Sequence, residues 1–262
     1  MKIGFFDSGL GGLTVLQAVV KELPDYDYYY YGDTAHLPYG DKTEEEIYSL
    51  TITGMEYLFA QGCQLVVIAC NTASAETARK LQTEFLPTKH PDRKVLGIII
   101  PTIEVLAFDE PTNVVLIGTK RTVESGKYSK ELQLKGDENA LLTEVPTPAL
   151  VPLIEANKLD EATKHAMQTI KTAAPKSRVV VLACTHYTQI KKNIREQVGE
   201  GVTVISQDEV VPYKLKKYLD NHPEIEEKLT KEKGRTIHLT EHRASYDKLI
   251  EQFLGGVIVE EK

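Results

Sequence analysis

Short apolar runs alternate with amphipathic stretches along the whole chain. Lys2–Phe6, Leu65–Ala69, Val95–Ile100, Val114–Ile117, Val179–Ala183 and Val202–Ile205 are brief and rich in valine and isoleucine. Unbroken apolar runs of this length predict strands covered on both faces, since a half-exposed strand would alternate. Between them the periodicity is helical. Ala75, Ala78, Leu81 and Phe85 recur at three- and four-residue steps, and Ile190, Ile194 and Val198 at four. Strand–helix alternation predicts an α/β fold with mostly parallel sheets. Tyr28–Tyr31 suits a strand through the aromatic preference for pleated surfaces. The charged stretch His222–Arg235 reads as a solvated helix and loop.

A weak internal repeat sharpens this picture. Gln64–Thr72 (QLVVIACNT) returns as Arg178–His186 (RVVVLACTH), with the two cysteines 114 residues apart. A looser pair, Ile3–Gly9 (IGFFDSG) and Val115–Thr119 (VLIGT), lies about the same distance apart. The repeat predicts two pseudo-symmetric domains, each a mostly parallel sheet flanked by helices, with an active site in the cleft between them. The seam is placed near Pro91–Pro101 and the return crossing near Ser206–Pro212. Residues 1–97 with 207–262 then form the first domain and 98–206 the second.

Composition agrees with that size. The chain has 262 residues, 42% hydrophobic and 26% charged, enough for two cores of ordinary globular usage. Its net charge of −7 excludes a nucleic-acid binder held by a basic face. No apolar run approaches the roughly 18 residues of a membrane span, and Asp7 interrupts the N-terminal apolar run as a signal peptide would not allow. Three cysteines make no disulfide framework, and the odd count leaves at least one free thiol. Reduced cysteines and a cytoplasmic setting follow as expectations.

The candidate chemistry sits where an open parallel sheet places ligands, beyond the carboxyl ends of its strands. Cys70 and Cys184 both end a strand and enter a helix. Asn71, Thr72 and Thr185 are expected to cap those helices, and a helix N-terminus lowers a thiol's pKa from about 8.5 and attracts carboxylates. A lone cysteine in apolar surroundings is usually an inert small hydrophobe, and Cys63 takes that reading. Two equivalent cysteines in two halves suit the inversion of a carbon, in which one thiol removes a proton from one face and the other returns one to the opposite face. Asp7, Asp33, Glu155 and His186 are strand-end or turn residues able to orient and tune such thiols, with Glu155 expected after a proline-bounded turn. Gly9, Gly11 and Gly12 lack the spacing of a dinucleotide loop and read as tight backbone turning. Three scattered cysteines form no zinc site, and Cys184 with His186 two residues on makes a poor Cys–His hydrolase.

Four ordered blocks, Phe6–Val15 (FDSGLGGLTV), Tyr31–Gly40 (YGDTAHLPYG), Ala69–Ala75 (ACNTASA) and Ala183–Tyr187 (ACTHY), closely resemble the signature segments of bacterial glutamate racemase. Thr122–Tyr128, the Val151–Glu155 block and Phe253–Gly255 extend the likeness. The resemblance implies cofactor-independent, metal-free interconversion of L- and D-glutamate, feeding peptidoglycan synthesis. By match, Cys70 faces the α-proton of the D-enantiomer and Cys184 that of the L-enantiomer. Asp7 assists Cys70, while Glu155 and His186 assist Cys184. Asp7, Ser8, Tyr39, Gly40, Asn71, Thr72, Thr185 and His186 hold the amino acid. The implied partner is the small-molecule substrate alone, with neither nucleic acid nor membrane, and a homodimer stays open. Thr188–Gln189, Ser206–Asp208 and Thr240–Arg243 depart from the family pattern without removing an implied catalytic group. A racemase for another acidic or small amino acid, and a binding module without turnover, stand as the alternatives.

Overall fold

The tyrosine run shows most directly how the chain builds its first sheet. All four side chains of Tyr28–Tyr31 are buried. Tyr28 and Tyr30 enter one hydrophobic cluster with Ile3, Phe5, Leu65 and Val67, while Tyr29 and Tyr31 enter another with Phe6, Val66 and Ile68. Successive residues of a strand point to opposite faces, so a sheet covered on both sides needs apolar residues at every position. The computed structural model describes residues 1–135, 138–244, 246–247, 250–251 and 258–260.

Among the described residues the first sheet has six strands: β1 (Lys2–Asp7), β2 (Tyr28–Gly32), β3 (Cys63–Ile68), β4 (Lys94–Gly97), β9 (Arg235–Leu239) and β10 (Ile258–Glu260). The second has four: β5 (Thr112–Gly118), β6 (Ala140–Pro146), β7 (Val179–Ala183) and β8 (Thr203–Ser206). Every pairing is parallel, in the orders β10-β9-β2-β1-β3-β4 and β6-β5-β7-β8. The order 2-1-3-4 thus recurs as 6-5-7-8. β3 and β7, which carry the repeated Ala-Cys segments, hold equivalent places. In the second sheet Val115, Ile117, Val180 and Leu182 pack into one cluster and Val114, Leu116, Val179 and Val181 into another, so it too is a two-sided α/β layer.

Three helices follow the first three strands: α1 (Gly12–Glu22), α2 (Glu44–Ala60) and α3 (Asn71–Lys80). α2 begins with a capping box, in which the Thr43 hydroxyl accepts from the Glu46 amide while the Glu46 carboxylate accepts from the Thr43 amide. The chain leaves the first sheet through the short helix Ile99–Ile103 and returns through the helix Gln207–Asn221, whose Val211, Leu215 and Leu219 pack in the same cluster as Leu13, Leu16 and Val19 of α1.

Several sequence expectations are revised. The apolar run Val95–Ile100 is a strand only to Gly97, and then turns helical at Ile99. A short apolar run carries no periodicity that separates the two states. Within the charged stretch 222–235, Ile225 and Leu229 are buried in the first core, and Arg235 starts β9. Glu155 closes a short helix, Leu150–Glu155, which itself follows the turn at Pro148 and Ala149. The block Phe253–Gly255 lies outside the described residues. Among the described residues no helix is long and apolar enough to cross a membrane.

Candidate active site

The carboxyl ends of β1 and β3 are adjacent in the first sheet, and connections leave these two strands in opposite directions. Such a switch point opens a crevice beyond the strand ends. Asp7 and Ser8 follow β1 and Cys70 follows β3, while Thr119 follows β5 and Cys184 follows β7 at the matching point of the second sheet. A narrow cleft lies between the two, and Ser8, Tyr39, Gly40, Cys70, Asn71, Thr72, Cys184, Thr185 and His186 all line it. Asp7 is fully buried behind Ser8, and Glu155 sits behind His186.

Both cysteines occupy N-cap positions themselves, correcting the expectation that Asn71, Thr72 and Thr185 would cap. Cys70 precedes α3 and its Sγ accepts from the Ala73 amide at 3.5 Å, where a cap oxygen ordinarily sits. Cys184 precedes the 3₁₀ turn Thr185–Ile190. Cys70 Sγ also lies 3.4 Å from Ser8 Oγ. The expected lowering of the thiol pKa does not follow at Cys70. Burial pushes that thiol up to about 12, and the neighbouring Asp7 adds to the rise, while the Ala73 and Ser8 hydrogen bonds oppose it without prevailing.

Asp7 is braced by the Gly9 amide, 3.0 Å from Oδ2, and by the Thr185 hydroxyl, 3.3 Å from Oδ1. Burial nonetheless raises its carboxyl above the ordinary value, even against the opposing charge of His186. A carboxyl with a raised folded pKa costs stability as pH rises from its unfolded value through its folded one, because the unfolded chain ionises first. Asp7→Asn keeps the hydrogen-bonding shape and removes that slope. Thermal melts should show the variant gaining stability over the native protein as pH climbs through this interval. Parallel melting curves would contradict the assignment.

The second thiol has different company. Cys184 Sγ lies 3.8 Å from His186 Nδ1, and His186 Nε2 lies 2.7 Å from Glu155 Oε1. Burial alone would keep the imidazole neutral, but its hydrogen bonds to Cys184 and Glu155 outweigh this and hold the proton well past the usual range. The same bond to His186 lowers the Glu155 carboxyl. The two walls are therefore unlike: a carboxyl group stands beside Cys70 and an imidazolium beside Cys184.

The glycines act through space, not through backbone twist, since none of Gly9, Gly11 and Gly12 has a positive φ. A Cβ at Gly11 would fall 2.5 Å from Thr185 Oγ1 and 3.0 Å from the His186 amide nitrogen. One at Gly12 would fall 2.7 Å from Asp7 Cβ. Their bareness lets the β1 loop press against both Asp7 and the end of β7.

Asp33 lines no part of the cleft, but it is buried and accepts from Tyr39 Oη at 2.6 Å and Thr240 Oγ1 at 2.9 Å, with His36 Nδ1 at 2.7 Å. It anchors the Tyr39–Gly40 loop, and Thr240, one of the departing residues, serves that anchor. Sequence reasoning missed Thr119, Thr122 and Thr147. Thr119 and Thr147 line the cleft, and Thr72, Thr119 and Thr122 join hydroxyls at 2.9–3.2 Å across the two halves. The looser repeat Val115–Thr119 is the signal that points there. Cys63 is buried beneath α2 in the core, away from the cleft. Among the described residues no cluster of three or more His, Cys, Asp or Glu side chains is placed to hold a metal ion.

Two parallel sheets each place a cysteine on one cleft, and comparison with known proteins supplies the class. The family model for Asp/Glu/Hydantoin racemase matches residues 11–210, and the chain belongs to that family as an amino-acid racemase. Its relatives carry a more specific name. The glutamate racemase of Jannaschia sp. (strain CCS1) is 37% identical over 242 residues, covering 86% of this chain and 87% of that protein. Among solved structures, a glutamate racemase isoform from Bacillus anthracis matches with a TM-score of 0.86 at 27% identity, covering 99% of this chain and 96% of that one. Glutamate racemase from Francisella tularensis in complex with D-glutamate matches at 0.85 and 25% identity, covering 100% and 97%.

Proposed function

We propose that the chain interconverts L- and D-glutamate by proton transfer between two thiols on opposite walls of the cleft. The observation that carries this reading is that Cys70 and Cys184, at equivalent strand ends of two sheets, line one cavity, each beside its own ionisable partner. The relatives' names supply glutamate; the D-glutamate formed would serve peptidoglycan synthesis. Residues 1–97 with 207–262 act as one wall and 98–206 as the other.

For L-glutamate, Cys184 as thiolate removes the α-proton, with His186 Nδ1 3.8 Å from its Sγ. The C–H electron pair stays on the α-carbon as carbanion character, and the Cys70 thiol delivers its proton to the opposite face. The products are D-glutamate, a thiol at 184 and a thiolate at 70. The reverse direction begins from that swapped state. Burial keeps Cys70 protonated in the free protein, which suits it as the donor in this direction. Ser8, Tyr39, Gly40, Asn71, Thr72, Thr185 and His186 offer the hydroxyl, amide and cationic groups that would hold two carboxylates and place the ammonium. Closure of the walls over the ligand would exclude water and strengthen each of these contacts. Both thiols must stay reduced, which agrees with a cytoplasmic setting.

Purified protein without added pyridoxal phosphate should exchange the α-hydrogen of glutamate with D₂O and interconvert its enantiomers. Preference for aspartate would reassign the substrate. Binding without exchange across a panel of acidic amino acids would leave only a binding module.

Glu155→Gln tests the Cys184 wall separately. Without the carboxylate the His186 imidazolium loses its proton at lower pH, so the alkaline limb of kcat/KM should move to lower pH. An unmoved limb would remove Glu155 from the mechanism.

A further inference from the structure

Asn71 lines the cleft, yet its amide is held from behind by groups that never reach it. Tyr128 Oη donates to Asn71 Oδ1 at 2.6 Å, and Gln207 Nε2 approaches the same oxygen at 3.5 Å. Tyr128 and Gln207 are wholly inaccessible to solvent and Asn71 nearly so. With Oδ1 taken up by two donors, Asn71 Nδ2 is buried without a hydrogen-bond partner. A buried, unsatisfied amide donor costs stability, and such a group in a ligand cleft is a donor waiting for an acceptor. The three residues come from three places: Asn71 from the start of α3, Tyr128 from the helix Lys127–Lys135 of the second half, and Gln207 from the first residue of the returning helix.

We infer that Tyr128 is a positioning residue, with Gln207 in support: together they occupy Asn71 Oδ1 and so commit the amide's NH₂ group to a carboxylate oxygen of the substrate. Tyr128 and Gln207 both meet Asn71 on its Oδ1 side, which leaves Asn71 Nδ2 and Gln207 Oε1 each buried without a partner. Because the two donors belong to different parts of the chain, the orientation holds only while the two halves keep their relative placement. The sequence singles out both positions, Tyr128 as the end of a family-like block and Gln207 within a departing segment. The inference rests on glutamate being the substrate and Asn71 touching it.

A double-mutant cycle on racemisation kinetics tests it, using the native protein, Asn71→Ala, Tyr128→Phe and the double variant, with thermal melts of each. Tyr128→Phe should raise KM for glutamate about tenfold, the loss of one orienting hydrogen bond, and change kcat by less than about threefold. In the Asn71→Ala background the same change should have no further effect on KM. Equal effects of Tyr128→Phe in both backgrounds, or an unchanged KM, would overturn the inference. If Tyr128→Phe melts markedly earlier, Gln207→Leu replaces it in the cycle under the same criteria. A native protein inactive on glutamate would defeat the functional reading itself, and the inference with it. An active native protein with Asn71→Ala at native KM would defeat the inference alone.

Discussion

Replacing either Cys70 or Cys184 with serine should lower racemisation turnover by about 10²–10⁴-fold in both directions, the range for loss of a general acid or base. The size follows from geometry and chemistry together. In the proposed mechanism each thiol exchanges a proton with the α-carbon from its own wall, so neither can cover for the other. A serine hydroxyl keeps the shape and the Ala73 hydrogen bond at position 70, so the loss reports proton affinity and not folding. Cys63→Ser is the control: its sulfur is buried in the core of the first half, away from the cleft, and turnover should change little. Equal loss at all three positions would show that the cysteines matter for stability and would sink the paired-thiol account.

Gly11→Ala should cost on the order of 10²-fold in kcat/KM while leaving a folded protein. The new methyl would sit 2.5 Å from Thr185 Oγ1 and 3.0 Å from both the amide nitrogen and Nδ1 of His186. Side chains can yield by rotating; the His186 backbone can yield only by moving the end of β7 and with it Cys184. Overpacking of this kind costs about 1–3 kcal/mol of stability. The larger consequence is displacement, since a misplacement near 1 Å at reacting groups is enough for a roughly 10²-fold loss. Steady-state kinetics well below the melting temperature separate the two effects. Native kcat/KM in a folded Gly11→Ala protein would show that the contact between the β1 loop and the β7 end does not set the thiols' spacing.

The site is partly legible in the sequence, and the reasons are physical. Strands buried on both faces must be apolar throughout, which is why β1, β3, β5, β7 and β8 stand out and why the repeat ending in Cys70 and Cys184 is visible. β6 and β9 carry a weaker signal because their residues are more mixed: Leu141 is exposed, and β9 begins with Arg235 and Thr236 only half buried. The sequence points to the wrong direction for the Cys70 pKa, because a helix N-terminus shows in sequence whereas complete burial next to a buried carboxyl group does not. The threonine cluster of Thr72, Thr119 and Thr122 is hidden for a related reason. Threonines far apart in sequence carry no signal until two sheets bring their hydroxyls together. The glycines stand out in the sequence, but the need they meet is room against Thr185, His186 and Asp7, not an unusual backbone angle.

The most direct test of two-base racemisation follows isotope at the α-carbon. L-Glutamate is incubated with the native protein in D₂O, and both enantiomers are analysed at low conversion. Two thiols on opposite walls predict that D-glutamate carries solvent deuterium from its first appearance while the remaining L-glutamate keeps its α-protium. Product that retains the substrate's hydrogen, or deuterium entering L-glutamate as fast as D-glutamate forms, would mean that one base serves both faces and would contradict the assignment of Cys70 and Cys184 as a pair.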